Sequence, residues 1–158
     1  MKYDLDIIVP VFREEGNISK TIEEIFKIPE INFRVIVVYD FDEDPTIQVI
    51  KNNFDKTQII CLKNKYQGLN GAIKTGFENI QSKATLLYPA DDHENFNLIS
   101  EMFYKFNEGY DIVCASRFID GGSYEGAPLI KRLIVKFVSF TLTNFCLLYT
   151  SPSPRDEQ

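Results

Sequence analysis

The chain has 158 residues, of which 44% are hydrophobic and 25% are charged, so it is long enough for one domain with a substantial core and too apolar for a disordered chain. Its formal net charge of −6 argues against a general affinity for nucleic acid, because such binding needs Lys and Arg to neutralise phosphates. A ligand that carries phosphate would need local cations or a metal ion.

Five short apolar runs alternate with segments of helical periodicity along the chain. The runs have the length of buried strands, and the segments between them place their apolar residues on one face of a helix. This alternation predicts an α/β fold with a mostly parallel sheet that is covered by helices on both faces. The predicted strands are Leu5–Val11, Phe33–Val38, Ile59–Leu62, Ala84–Tyr88 and Ile112–Ala115.

The second predicted strand runs directly into an acidic segment, VVYDFDEDPT, at residues 37–46. Open α/β sheets bind ligands at the carboxyl ends of their strands, so this segment predicts a crevice for a polar ligand. Asp44, which precedes a proline, is predicted to cap the next helix, and Asp42 and Glu43 are interpreted as solvated charge. Asp40 is then the candidate ligand-binding acid of the segment.

Cysteine use and the N-terminal sequence predict the compartment. Cys61, Cys114 and Cys146 lie far apart without paired spacing, so they are interpreted as small buried apolar residues in a reducing environment. The chain enters its first strand within a few residues, without the pattern of a signal peptide. A cytoplasmic location is expected.

The C-terminal part changes character after a glycine-rich stretch at residues 117–128. The basic apolar segment Leu129–Tyr149 follows, and the cations near its start leave an uncharged part too short to span a membrane. It is expected to form an amphipathic helix that lies on the cytoplasmic face of a membrane or packs on the remainder of the domain. Residues 150–158 are expected to be a disordered polar tail.

Several motifs in chain order resemble those of family 2 glycosyltransferases. They are IIVPVFREEGNI, VVYDFDEDPT and NKYQGLNGAIKTGF, followed by YPADD in the place of the family's Asp-x-Asp signature and by CASRFIDGG. The last segment is similar to the Gly-Ser-Arg-Tyr-x-x-Gly-Gly stretch of the dolichol-phosphate and polyprenyl-phosphate sugar transferases. The resemblance implies a GT-A fold, with residues 1–149 as a donor-binding domain that is incomplete at its C-terminal side.

The resemblance also implies the reaction and its partners. It indicates inverting transfer of a sugar from a nucleotide-diphosphate sugar to an acceptor, with a polyprenyl phosphate as the acceptor and a membrane surface as the setting. The expected cofactor is Mg²⁺ or Mn²⁺. The nucleotide-binding candidates that this assignment gives are Pro10, Phe12, Glu14, Asp40, Gly68, Asn70, Lys74 and Ala90.

Asp91 is the strongest candidate for a metal ligand. A hard divalent ion that bridges diphosphate oxygens prefers carboxylate oxygen, and Pro89 in place of the first acid leaves Asp91, with help from Asp92, to hold it. The alternative is that Asp91 caps a predicted helix at Asn95–Asn107. His93 is interpreted as a surface or capping residue rather than a ligand.

Arg117 ends the fifth predicted strand, at the ligand side of the sheet. Its guanidinium suits a phosphate of the donor or of a lipid-phosphate acceptor, so Arg117 and Asp91 are the catalytic candidates. Carboxylates at Glu14 and Asp40 are expected to accept hydrogen bonds from ribose hydroxyls or from a base N–H group.

The glycines after the third strand do not have the spacing of a dinucleotide-binding fingerprint, so a nicotinamide cofactor is excluded. Gly71 and Gly76 are predicted to permit close helix packing, whereas Gly68 and Asn70 are expected to shape the wall of the nucleotide site. Two alternatives stay open. One is a nucleotidyltransferase, and the other is a nucleotide- or membrane-binding module that has lost catalysis.

Overall fold

In the computed structural model, which describes residues 3–54 and 57–115, four strands alternate with four helices. The alternation predicted from the sequence is confirmed for these elements, which belong to one structural unit, Met1–Ala115. The elements are β1 (Leu5–Val11), α1 (Ile18–Ile25), β2 (Phe33–Tyr39), α2 (Pro45–Asn53), β3 (Ile59–Lys63), α3 (Gly68–Phe77), β4 (Ala84–Leu87) and α4 (Asn97–Asn107).

The four strands form one parallel sheet in the order β3-β2-β1-β4. The two central strands are apolar on both faces: Val35 and Val37 join one core cluster, whereas Ile36 and Val38 join another. A strand of this kind must be covered on both sides. Because all strands run the same way, their carboxyl ends meet at one edge, and the chain reverses its direction of growth between β1 and β4.

Helices cover both faces of the sheet, as predicted. The larger cluster packs apolar residues of α1, α2 and α4 against one face, and Ala72 of α3 lies in the smaller cluster on the other face. The residues that these three helices contribute to the larger cluster are Ile18, Ile22, Ile25, Ile47, Ile50 and Ile99.

The predicted packing role of two glycines in α3 is confirmed. A Cβ on Gly71 would lie 2.7 Å from the main-chain oxygen of Tyr66, and a Cβ on Gly76 would lie 2.6 Å from Cγ2 of Ile8. Both distances are shorter than a carbon atom tolerates. The absence of side chains lets α3 approach β1 and its own preceding loop.

A buried ion pair joins the two central strands near their amino ends. Asp6 and Arg34 are direct neighbours in the register, with Arg34 Nε 2.8 Å from Asp6 Oδ1, and both side chains are almost completely buried. Burial alone would raise the pKa of Asp6, but the hydrogen bonds from Arg34 and from the Gln81 N–H group outweigh it and hold the pKa below its usual value.

The predicted fifth strand is wrong. Residues 112–115 are not in a strand, Ile112 is 78% exposed, and Cys114 is exposed rather than buried. An apolar run becomes a strand only when a neighbour completes its main-chain hydrogen bonds, and within the described residues β4 pairs with β1 alone. The expectations for Arg117, Cys146, the segment 129–149 and the tail 150–158 lie outside the described residues.

None of the helices in the described part of the chain has the length and apolar character needed to cross a membrane.

Candidate functional site

The loops that follow β1, β2, β3 and β4 all lie at the carboxyl edge of the sheet, because the strands are parallel. The point between β1 and β4, where the strand order reverses, is the position at which open α/β sheets form a ligand crevice. Pro10, near the end of β1, lies beyond the β1–β4 pairing, which stops at Ile8. Its missing N–H group therefore costs no hydrogen bond to β4.

The carboxylate of Asp44 joins the loops after β1 and β2. It is completely buried, and it accepts hydrogen bonds from Thr46 N at 2.9 Å and from Arg13 N at 3.1 Å. Glu14 N in turn donates to Thr46 Oγ1 at 2.8 Å. The predicted helix cap is confirmed, and the same side chain also fixes Arg13, whose φ of 57° is in the left-handed region.

Two aromatic rings and a guanidinium group lie together on these two loops, where Phe12 and Arg13 are exposed and Phe41 is half-buried. Phe12 is 59% exposed, and its ring packs edge to face on Phe41 with centroids 5.6 Å apart. The guanidinium carbon of Arg13 lies 5.8 Å and 5.7 Å from the two centroids. An exposed ring offers a stacking surface for a base, and a guanidinium offers charge for a phosphate.

Phe41 and the charge of Arg13 were not among the candidates from the sequence. The sequence does offer one indication for Phe41, because an aromatic residue inside an otherwise acidic loop is expected to contact another group rather than water alone. The contact with Phe12 could not be inferred, because the two rings lie on loops from different strands.

Asp40 holds the loop after β3. Its carboxylate accepts from Asn64 Nδ2 at 2.6 Å and from Gly68 N at 3.1 Å, and Gly68 has a φ of 72°. The structure thus brings together two of the predicted nucleotide-binding residues, Asp40 and Gly68. Asp40 is half-buried, and each carboxylate oxygen has a second lone pair that can still accept from a ligand.

The other nucleotide candidates on the loops after β1 and β3 differ in position. Glu14 is half-buried and accepts from Asn17 Nδ2 at 2.9 Å. Asn70 and Lys74 are exposed on α3, and Lys74 Nζ lies 4.1 Å from the ring centroid of Tyr66. Within the described residues, no hydrogen bond joins the side chains of Asn70 or Lys74 to those of Asp40 or Glu14.

Asp42 and Glu43 are solvated, as predicted. Asp42 pairs with Lys63 at 2.5 Å, and the two side chains are 62% and 53% exposed. The hydrogen bond with Asp42 raises the pKa of Lys63. Glu43 is exposed. An ion pair between two exposed side chains contributes little to the free energy of unfolding.

Asp91 and Asp92 have different surroundings in the loop after β4. Asp92, rather than Asp91, organises the turn before α4, because it accepts from Glu94 N at 3.1 Å and from Asn95 N at 3.0 Å. Asp91 is exposed, and it makes no hydrogen bond to another described residue. Its carboxylate fits a hard divalent ion, whereas Asp92 Oδ2 is also engaged by Asn95 Nδ2.

Ala90, between these acids and β4, is buried, and its main-chain oxygen accepts from Thr21 Oγ1 of α1 at 2.6 Å. The same hydroxyl lies 3.0 Å from His93 Nδ1. In the part of the chain that the structure describes, no three His, Cys, Asp or Glu side chains converge as a metal site. A metal bound here would take most of its ligands from substrate phosphates and water.

Comparison with known proteins matches this arrangement to a family. The sequence model described as "Glycosyl transferase family 2" matches residues 6–153. The dolichol-phosphate mannosyltransferase of Pyrococcus furiosus is 25% identical over 134 residues, which are 84% of this chain and 38% of that protein. The chain therefore spans well under half the length of this relative.

Solved structures show the same fold at lower identity. The complex of S. aureus TarS 1-349 with UDP-GlcNAc superposes with a TM-score of 0.58 at 19% identity and covers 66% of this chain and 31% of that one. Glucosyl-3-phosphoglycerate synthase from Mycobacterium tuberculosis, in complex with Mn²⁺, UDP and glucosyl-3-phosphoglycerate, gives 0.55 at 11% identity, with 66% and 39% covered. Both are glycosyltransferases of the GT-A type, so the predicted fold class is confirmed.

Proposed function

The chain belongs to glycosyl transferase family 2, and on this premise we propose that it binds a nucleotide-diphosphate sugar at the carboxyl edge of its sheet and forms the donor side of an inverting sugar transfer. The main support for this proposal is the position of the Asp44 carboxylate, which is buried between the loops after β1 and β2. It fixes the loops after β1 and β2 as one rim and leaves Phe12 and Arg13 facing outward on it.

The nucleoside is the part of the donor that suits this rim. A base can stack on the exposed ring of Phe12, which Phe41 supports from the side. Ribose hydroxyls need acceptors, and the half-buried carboxylates of Glu14 and Asp40 lie on the adjacent loops after β1 and β2. Pro10 supports the first loop from the end of β1.

The diphosphate needs positive charge in a chain that is acidic overall. A divalent ion, Mg²⁺ or Mn²⁺, would supply it when bound, and Asp91 is the side chain on the β4 loop that would hold the ion, with Asp92 beside it. Arg13 adds a guanidinium at the same edge. Arg117, outside the described residues, is the further phosphate-binding candidate.

An inverting transfer exchanges one bond at the anomeric carbon for another. The bond between the anomeric carbon and the diphosphate oxygen breaks, its electron pair leaves with the nucleoside diphosphate, and an acceptor oxygen bonds to the carbon from the opposite face. We propose a polyprenyl phosphate as the acceptor, because the Pyrococcus furiosus relative is named as a dolichol-phosphate mannosyltransferase. Its phosphate is already ionised at neutral pH, so the acceptor needs no general base.

This acceptor would bring the protein to the cytoplasmic face of a membrane. The segment 129–149, with its cations at one end, is the part of the sequence that suits such a surface.

Isothermal titration calorimetry with UDP and with GDP, each with and without Mg²⁺ or Mn²⁺, tests nucleotide binding and its dependence on the metal ion. We expect one nucleotide to bind more tightly when metal is present, and we expect Asp91→Asn to remove the metal dependence, because a neutral amide is a poor ligand for a hard cation.

Glu94→Gln is the matched control, since it removes one negative charge from an exposed residue of the same loop. It should keep the metal dependence of the parent chain. If neither nucleotide binds with any metal, the proposed function is wrong. Binding without sugar transfer by a chain of full family length would instead favour a module that has lost catalysis.

A further inference from the structure

The side-chain amide of Asn64, the first residue after β3, uses all of its hydrogen-bonding capacity inside the chain. Its Nδ2 donates to Asp40 Oδ1 at 2.6 Å and to the main-chain oxygen of Gly68 at 3.0 Å. Its Oδ1 accepts from Tyr66 N at 2.9 Å and from Thr75 Oγ1 at 3.1 Å. An Asn side chain has two donor hydrogens and two acceptor lone pairs, so none is left for a ligand.

The partners also fix which way the amide points. The Asp40 carboxylate and the Gly68 oxygen can only accept, whereas the main-chain N–H group of Tyr66 can only donate. A flipped amide would place its oxygen against two acceptors and its NH₂ group against a donor. Asn64 Nδ2 therefore faces Asp40, because this orientation alone satisfies every partner.

A buried hydroxyl on α3 holds the other end of the amide. Thr75 is 1% exposed, and its Oγ1 accepts from Lys65 N at 3.1 Å, so the hydroxyl hydrogen goes to Asn64 Oδ1. The main chain of Asn64 is fixed as well, because its N–H group donates to Tyr39 O at 2.7 Å. Asn64 is thus anchored to β2 and to α3 by contacts that do not involve the Asp40 side chain.

These contacts determine what the Asp40 carboxylate can offer. Its Oδ1 accepts from Asn64, and its Oδ2 accepts from Gly68 N at 3.1 Å. Both partners are amide N–H groups, so they hold the carboxylate as an acceptor whose remaining lone pairs suit hydroxyl or N–H donors of a ligand. Without Asn64, the Asp40 side chain would lose its shortest hydrogen bond and could rotate away from this position.

We propose that Asn64 is a positioning residue, which orients the Asp40 carboxylate toward the nucleoside of the donor and is itself held by Thr75. The proposal rests on the proposed function, since Asp40 is one of the acceptors assigned there to the nucleoside. Asn64 acts through Asp40 and does not contact the ligand, because its amide is already fully bonded.

Exchanging the amide for a carboxyl group gives this role a pH signature. In Asn64→Asp, two carboxylates face each other at about pH 8, and their repulsion turns Asp40 away from the ligand. At about pH 5.5 the two groups share a proton, and the protonated carboxyl donates to Asp40 as the amide did. Nucleotide affinity relative to the parent chain should therefore fall about 10- to 100-fold at the higher pH and recover at the lower one.

Calorimetry with the nucleotide and metal ion that the parent chain binds measures this ratio at both pH values. Dividing by the affinity of the parent cancels the titration of the nucleotide's own phosphate. Other charged groups on these loops keep their charges in this range. Hydrogen bonding to Asp42 raises the pKa of Lys63, and the hydrogen bond between Lys65 and Glu78 raises the pKa of Lys65 and lowers that of Glu78.

Asn52→Asp is the matched control, since it adds the same charge at an exposed position of α2. It should bind the nucleotide as the parent does at both pH values. An affinity ratio for Asn64→Asp that does not change with pH would overturn the proposal.

Two variants of Thr75 test the second link and keep Asn64 itself, so they also serve if Asn64→Asp fails to fold. Thr75→Val removes the hydroxyl and should weaken nucleotide binding about 3- to 10-fold. Thr75→Ser keeps the hydroxyl and should bind nearly as the parent does. An equal loss in both variants would contradict the role of the hydroxyl.

Hydrogen exchange at the Gly68 amide tests the positioning of Asp40 without nucleotide. This N–H group donates to Asp40, so Asn64→Ala should speed its exchange at least about 10-fold, whereas Asn52→Ala should leave it unchanged. Unchanged exchange in Asn64→Ala would overturn the proposal. If the parent chain binds no nucleotide, the proposed function is wrong, and exchange at Gly68 still decides whether Asn64 holds Asp40.

Discussion

At the scale of single residues, buried carboxylates are what hold the site's framework in place. Asp44 has no exposed surface, and each of its oxygens accepts from a main-chain N–H group: one from Arg13 in the loop after β1, the other from Thr46 in the first turn of α2. Its cap of α2 could be predicted, because the cap preference and the following proline are local. Its bond to Arg13 could not, because the partners are 31 residues apart.

The buried pair of Asp6 and Arg34 predicts a pH-dependent stability. The pKa of Asp6 is lowered in the folded chain, so its contribution is present above the unfolded pKa, about 3.9, and is lost as the pH falls through the folded pKa. Asp6→Asn should lower the free energy of unfolding at pH 7 by about 3 kcal/mol, because Arg34 keeps an uncompensated buried charge.

Urea denaturation at pH 7 and at pH 3 measures the effect, and the difference between parent and Asp6→Asn should shrink at pH 3. The double variant Asp6→Leu with Arg34→Met is the matched control, since it removes both charges and should cost much less than the single change. An equal loss for the single and the double variant would show that the charge of Arg34 is not the cause.

Among the helices, α3 packs so closely that Gly71 is predicted to be required for stability. Gly71→Ala gains about 1 kcal/mol of helix propensity, but its Cβ would lie 2.7 Å from a main-chain oxygen of Tyr66 that cannot move like a side-chain end. We expect a net loss of about 1–3 kcal/mol in the free energy of unfolding, measured by urea denaturation.

Gly16→Ala is the control, because nothing lies within 4 Å of the Cβ that would be added there. It should leave stability within about 0.5 kcal/mol of the parent or raise it slightly. A Gly71→Ala chain as stable as the Gly16→Ala chain would mean that α3 shifts at no cost and that the glycine is not required for packing.

The elements themselves were largely predictable. The apolar runs of β1 and β2 and the amphipathic faces of α1 and α4 are properties of consecutive residues, and the structure confirms them. The run at residues 112–115 is also apolar but is not in a strand. Strand formation depends on a partner for the main chain, which a single run does not reveal.

At the scale of the whole molecule, the sheet order brings together loops that are distant in sequence. The family motifs lie in or beside the loops that follow the strands, and the parallel sheet places the loops after β1, β2 and β4 at one edge. The contacts that shape this edge join residues far apart, such as Thr21 with His93 and Phe12 with Phe41. Spacing along the chain cannot predict such contacts, because they depend on how the loops meet in the folded chain.

If the nucleoside of a nucleotide sugar binds at this edge, its base should stack on the ring of Phe12. Calorimetric titration of Phe12→Ala with the nucleotide that the parent chain binds measures the contribution of this ring. Loss of a stacked base should weaken binding by about 1–3 kcal/mol, or about 5- to 150-fold. Phe77→Ala, which removes another half-exposed ring from α3, should bind as the parent does. Equal affinities for Phe12→Ala and the parent chain would show that the base does not bind at this edge.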